Sequence, residues 1–165
     1  MHRRDSFIAI ALAAAAPMAL SGAARAQAAT TSSPTKSAKV KDCVALVTGA
    51  NRGIGLGFVN VLLERGAKRV YATGRDAKNL DAVVALDPKR VVPLVLDVNN
   101  DSQRRTAADA AKDVTWLINN AGIPGSSDAK ERRMPSSKSM DDSRLVMETN
   151  CWSPTELSRL FVPNI

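Results

Sequence analysis

The sequence predicts an α/β fold: the first half of a doubly wound parallel sheet, strand order 3-2-1-4, with flanking helices. Three observations carry this. The apolar run Cys43–Val47 leads into a glycine-rich stretch, Thr48–Gly55, and then into an amphipathic segment. Strand-like and helix-like patterns then alternate to Ile165, which is the signature of parallel strands joined by right-handed crossovers. The strand runs are β-branched and apolar with little alternation, as expected of strands buried on both faces.

The elements follow in order. Strand one is read over Cys43–Val47. Helix one runs from about Gly53 to Arg65, with Ile54, Phe58, Val61 and Leu62 spaced to form one buried face, and Gly66 is a natural stop. Strand two is read over Arg69–Thr73. A short helix covers about Ala77–Leu86 and ends before Pro88, and strand three is Val91–Leu96. Helix three spans about Ser102–Lys112 and strand four Val114–Asn119. A polar loop rich in Ser, Lys and Arg runs from Ile123 to about Met140. Helix four starts near Asp141–Asp142, whose carboxylates suit a helix N-terminus, and continues to about Phe161 unless Pro154 kinks it. The apolar strand Trp116–Leu117–Ile118 is expected to leave an open sheet edge, because no fifth strand follows in the sequence.

A chain of 165 residues suits one domain. Aromatic residues make up only 4% of it, so Leu, Val, Ile and Ala must fill the core. The net charge is +7, of which residues 1–26 hold three arginines against one aspartate. The remaining basic residues are scattered, without the stripe or module of a nucleic-acid surface. Cys43 and Cys151 stand outside any CxxC, and His2 is the single histidine, which argues against a metal site. Both thiols are expected to be free and mostly buried, since they fall near opposite ends of the sheet.

Residues 1–26 read as a signal peptide. Arg3–Arg4 precedes the apolar run Phe7–Leu20, and Ala24-Arg25-Ala26 follows as a small-x-small cleavage pattern. The run is too short for a comfortable membrane span. The arginine pair resembles a twin-arginine signal, which predicts export to a periplasm, with a cytoplasmic location as the alternative. Residues 27–40, rich in Ala, Thr, Ser, Pro and Lys, read as a flexible linker, leaving 41–165 as the domain.

Chemistry enters at the glycine-rich stretch. A strand-to-helix turn presents free backbone N–H groups to an anion, and glycine there allows positive φ and close approach of a phosphate. The spacing Gly-x-x-x-Gly-x-Gly differs from G-x-G-x-x-G and lacks the Lys-Ser/Thr of a Walker loop. Four motifs in order resemble the short-chain dehydrogenase/reductase family: Thr48–Gly55 (TGxxxGxG), Leu96-Asp97-Val98, Asn119-Asn120-Ala121-Gly122 (NNAG), and Asn150 within Met147–Asn150. The resemblance covers about Lys41 to Ile165 and implies a Rossmann-type, NADP-binding domain.

It also implies roles. Gly49, Gly53 and Gly55, with Asn51, Arg52 and Ile54 in the same turn, would line the cofactor pyrophosphate. Asp97 would bind the adenine amino group, with Val98 beside the ring. Asn119, Ala121 and Gly122 would pass the ribose, with strand-tying as the equal alternative for Asn119 and Asn120. Asn150 would hold a water of the proton relay, or simply kink its helix.

The choice of cofactor follows from charge. A free ribose 2′-hydroxyl calls for a carboxylate at the end of strand two, where this sequence has Gly74 followed by Arg75. Arg52 and Arg75 are placed to bracket a 2′-phosphate, so NADP is expected over NAD, with Asp76 as the residue that would reverse this if the turn shifted. The family's reaction interconverts carbonyls and alcohols on a small-molecule substrate, and its members often pair through helix four. Its catalytic Ser and Tyr-x-x-x-Lys have no counterpart here: the sole tyrosine, Tyr71, lies in strand two. The sequence is therefore expected to hold a cofactor-binding half, not competent alone for hydride transfer. A non-catalytic nucleotide-binding or interaction module, or an inactive fragment, is the alternative.

Overall fold

The computed structural model describes residues 39–124 and 139–165. The signal-like segment, the linker up to residue 38 and most of the polar loop lie outside the described residues. Within them the chain forms β1 (Val44–Val47), α1 (Gly53–Glu64), β2 (Arg69–Gly74), a 3₁₀ turn (Ala77–Leu80) running into the short α2 (Asp81–Val84), and β3 (Val91–Val95). Next come α3 (Asp101–Ala110), β4 (Trp116–Ile118), α4 (Met140–Met147), a π-helical turn (Glu148–Trp152), α5 (Ser153–Phe161) and a closing 3₁₀ turn (Val162–Asn164).

The four strands pair in parallel in the order β3-β2-β1-β4, as the alternation of patterns predicts. Side chains alternate across β1, so the two sheet faces bury different sets. Ala45 and Val47 pack with Val59 and Leu62 of α1 and with Leu80 and Val83 around α2. Val44 and Leu46 pack on the opposite face with Ala107 of α3 and with Leu157 and Phe161 of α5. Helices thus cover both faces, and the strand ends Val47, Gly74, Val95 and Ile118 all open toward one side.

Three expectations change. The buried face of α1 is Gly55, Val59 and Leu62, while Ile54 (58% exposed) and Val61 (42%) face outward. Gly55 must turn inward because only glycine fits against the turn behind it. Strand β3 is not buried on both faces: Pro93 and Val95 are exposed. It lies at the sheet edge, where a proline without an N–H is tolerated. Cys151 is exposed although Cys43 is buried; both are free. Burial, with Asp42 nearby, pushes the Cys43 thiol above its ordinary pKa.

Helix four continues past Pro154, with a π-helical turn just before it. Proline has no N–H to give the carbonyl four residues earlier and crowds it, and the wider turn relieves that crowding at Asn150. No helix among the described residues is long and apolar enough to cross a membrane. Among the same residues no cluster of His, Cys, Asp or Glu is arranged to hold a metal ion.

Candidate functional site

The loops leaving the strand ends meet at the glycine-rich turn. Its backbone is pinned from both neighbouring strands: Thr48 N donates to Ile118 O at 3.0 Å and Ala50 N to Thr73 O at 2.8 Å. Gly49 and Gly53 have φ of +64° and +56°, conformations that favour glycine. A Cβ on Gly55 would lie 2.1 Å from the Gly49 carbonyl oxygen, so no other residue fits there without moving the turn.

Helix α1 starts without a cap. Arg52 occupies the cap position, its side chain gives no bond to the first-turn amides, and no acidic residue stands in that turn. A Cβ on Gly53 would meet nothing within 4 Å, so the helix start faces open space. Unsatisfied N–H groups and the positive end of a helix dipole make such a start a seat for an anion.

The side chains expected around this seat divide into two groups. Asn51 leans toward Gly74, with its Cβ 3.8 Å from where a Gly74 Cβ would be, which brings the turn and the end of β2 together. Arg52 and Arg75, one residue beyond each, are exposed and take no part in the ion pairs of the described residues. Asp76 is engaged elsewhere: its Oδ1 accepts from Lys78 N at 3.0 Å as the cap of the 3₁₀ turn. Asp97 is half-buried at the end of β3, with Oδ1 accepting from Asn99 N at 3.0 Å. Ala121 N donates to Thr48 Oγ1 at 2.9 Å, which sets Ala121 against Gly49.

For the other group the side chain turns away. Ile54 is exposed at the helix start and offers its amide. The Val98 side chain is buried in the core shared with α3 and α5, so only its main chain can face a ring. The Asn119 amide donates to Ser158 Oγ at 3.2 Å and approaches Pro154 O at 3.5 Å. It ties β4 to the helix α5 rather than to a neighbouring strand, and its main chain is what remains for a ligand. Asn150 exchanges two bonds with the Ile123 backbone, accepting from N at 2.9 Å and donating to O at 2.8 Å. Gly122 is squeezed against it, since a Cβ there would lie 3.2 Å from Asn150 Oδ1.

Two residues matter more than their sequence signal indicates. Thr48 Oγ1 accepts from both Asn120 N (2.8 Å) and Ala121 N. Asn120 Nδ2 donates to Thr48 O at 2.9 Å and Gly49 O at 3.3 Å. Their signal is the motif that each belongs to; the partnership between them is tertiary and spans 72 residues.

Comparison with known proteins agrees with this geometry. A family model described as short chain dehydrogenase matches residues 43–165. A probable NADP-dependent dehydrogenase of Haemophilus influenzae is 30% identical over 130 residues, covering 76% of this chain and 49% of that protein. Among solved structures, a short chain dehydrogenase from Burkholderia cenocepacia in complex with NADP superposes with TM-score 0.66 at 39% identity, covering 77% of this chain and 50% of that one. An NADPH-bound carbonyl reductase from chicken fatty liver gives TM-score 0.64 at 33% identity, covering 74% and 51%. The chain spans about half the length of the curated relatives it matches.

The glycine turn gives a paired stability test. Gly55→Ala should lower unfolding free energy in a urea titration by about 2 kcal/mol or more, because the added methyl has no room. Gly57→Ala, where a Cβ meets nothing within 4 Å, should raise it by about 0.5–1 kcal/mol through helix propensity. Equal effects at the two positions would contradict the close approach at Gly55.

Proposed function

Because the chain belongs to the short-chain dehydrogenase family, we propose that residues 41–165 are the NADP(H)-binding half of an oxidoreductase that interconverts carbonyl compounds and alcohols. One observation carries the reading. The uncapped start of α1 opens onto free space, between two exposed arginines and beside a strand that ends in glycine where a ribose-binding carboxylate would stand. Gly74 stands at that end, and Asp76 is held by Lys78 N. A dinucleotide pyrophosphate suits the helix start, and a 2′-phosphate suits Arg52 and Arg75.

The residues present fit this cofactor, which supplies or accepts a hydride when bound. The first-turn amides of Gly53, Ile54 and Gly55 would hold the pyrophosphate, with Gly49 keeping the backbone low beneath it. Asp97 would accept a hydrogen bond from the adenine amino group through its carboxylate, and the Val98 main chain would flank the ring. Ala121 and Gly122 leave room for a ribose, since neither carries more than a methyl group. Asn150 is fixed by its paired bonds to Ile123. Pro154 has no N–H to give its carbonyl, so that carbonyl is the atom positioned to hold a relay water. Tyr71 has no part in this chemistry: it is buried, and its hydroxyl donates to Asp113 Oδ1 at 2.7 Å. The substrate is read as a small molecule.

Self-association through helix four is read from the apolar side chains Met140, Met147 and Trp152 that stand exposed along α4 and the π-helical turn, around a shallow groove of about 420 Å³. A Trp152→Glu chain should then sediment as a smaller species than the wild type; identical sedimentation would remove this part. Export on residues 1–26 is supported by their sequence pattern. Arg3→Lys with Arg4→Lys should leave the chain in the cytoplasm, and unchanged fractionation would contradict a twin-arginine route.

The cofactor reading is tested by titrating the full chain with NADPH and NADH. NADPH should bind more tightly. Replacing Arg52 and Arg75 together by Ala should weaken NADPH by about 1.5–3 kcal/mol, the scale of lost charge-assisted hydrogen bonds, and leave NADH unchanged. Equal affinity for the two nucleotides, or tighter NADH, would overturn the NADP assignment.

A further inference from the structure

Arg104 is an unusual residue to find in the interior of α3. It is 7% exposed, on the same helix as Ala107 and Ala108, which pack into the apolar core of that sheet face. Burying a guanidinium costs free energy unless it is paired and hydrogen-bonded. Here the pairing is directed. Nη1 donates to Val98 O at 2.6 Å and reaches Ser153 Oγ at 3.5 Å. Nη2 reaches Asp101 Oδ1 at 3.4 Å, and Glu148 Oε1 lies 3.9 Å from Nη1. Nε is buried without a partner among the described residues, so the group is held for what its Nη atoms reach.

Asn99 runs alongside. Its Nδ2 donates to Thr149 Oγ1 at 2.9 Å, and its Oδ1 accepts from Ser153 Oγ at 3.0 Å. Ser153 and Thr149 are themselves buried, at 0% and 5% exposure. An apolar side chain would fill this volume equally well but would fix no direction. The bonds join the loop Asp97–Asn100 beyond β3 to the π-helical turn that carries Asn150, through Thr149 and Glu148, and to the first residue of α5, Ser153, which directly follows that turn. Asn150 in turn grips Ile123, next to Gly122.

We propose that Arg104 and Asn99 are positioning residues for the cofactor cleft. They lock the Asp97–Asn100 loop to the π-helical turn, so that the adenine end and the Gly122–Asn150 end of the cleft keep one register. Neither residue touches the cofactor in this account, which rests on the NADP(H) reading above.

The test is hydrogen–deuterium exchange of the full chain with adenosine 2′,5′-bisphosphate, a probe carrying only the adenine end. In the wild type the probe should slow exchange at residues 49–55 and 97–100, and also at 148–153, which it does not reach. In Arg104→Met and in Asn99→Ala, protection at 49–55 should persist, protection at 148–153 should disappear, and NADPH should bind about tenfold more weakly, within the usual range of coupling between sites. Asn99 is half-buried and lies in a loop, so its variant carries the test if Arg104→Met does not fold. A merely structural role would lower thermal stability while leaving the 148–153 protection in place, and that result overturns the proposal. So does a wild type in which 148–153 never responds while 49–55 does. A wild type without protection at 49–55 removes the cofactor reading itself, together with this inference.

Discussion

The contact on which this molecule turns is the approach of the first turn of α1 to the end of β1. Gly55 sits where a single methyl would strike the Gly49 carbonyl. That proximity points the helix start back along the strand, exposing its unsatisfied amides on the side where the strand ends open. The same junction receives β4, because the Thr48 hydroxyl accepts the amides of both Asn120 and Ala121. One hydroxyl and one missing side chain therefore align the end of β1 and the start of α1 with the loop after β4, some 72 residues away in sequence. Loosening either would move the anion seat relative to the loops that border it.

The rest of the fold serves this alignment. Two separate cores hold helices on opposite sheet faces, so neither α1 nor α5 can shift without loss of buried apolar area. The polar ties are concentrated at the open end of the sheet: Asn119 to α5, Asn150 to Ile123, and the cluster around Arg104. At the opposite end, Arg69 and Tyr71 share Asp113, with Arg69 Nη1 2.6 Å from Asp113 Oδ2. That grouping closes the base of β2 and leaves the ligand side untouched. Burial in the core supplies most of the stabilisation, while the hydrogen bonds decide where each loop stops.

How much of this is legible in the sequence varies with the range of the interaction. Strand and helix identity is legible because it depends on local periodicity and glycine placement, and the parallel order follows from right-handed crossovers. Positive φ at Gly49 and Gly53 is legible too, as the reason for glycine there. The buried face of α1 is legible only in part: the spacing pattern places Phe58 and Leu62 correctly against the core, but also ranks Ile54 and Val61 as core, whereas the close contact at Gly55 turns the helix so that Val59 faces inward in their place. Val98, Asn119 and Asn150 carry the expected motifs, yet where their side chains point depends on α3, α5 and Ile123, from other parts of the chain. The π-helical turn is foreshadowed only by Pro154. Arg104 offers no signal at all, because a basic residue in an amphipathic helix ordinarily reads as surface.

In the proposed reading, four loop segments from separate strands form one dinucleotide cleft around the uncapped start of α1. An isotope-labelled full chain titrated with NADPH and followed by amide chemical shifts measures this directly. The account places the largest changes at residues 49–55, 74–76, 97–99 and 120–122, moving together with one saturation curve. Changes centred instead on the α4 groove around Met140, Met147 and Trp152, or segments that saturate independently, would contradict it.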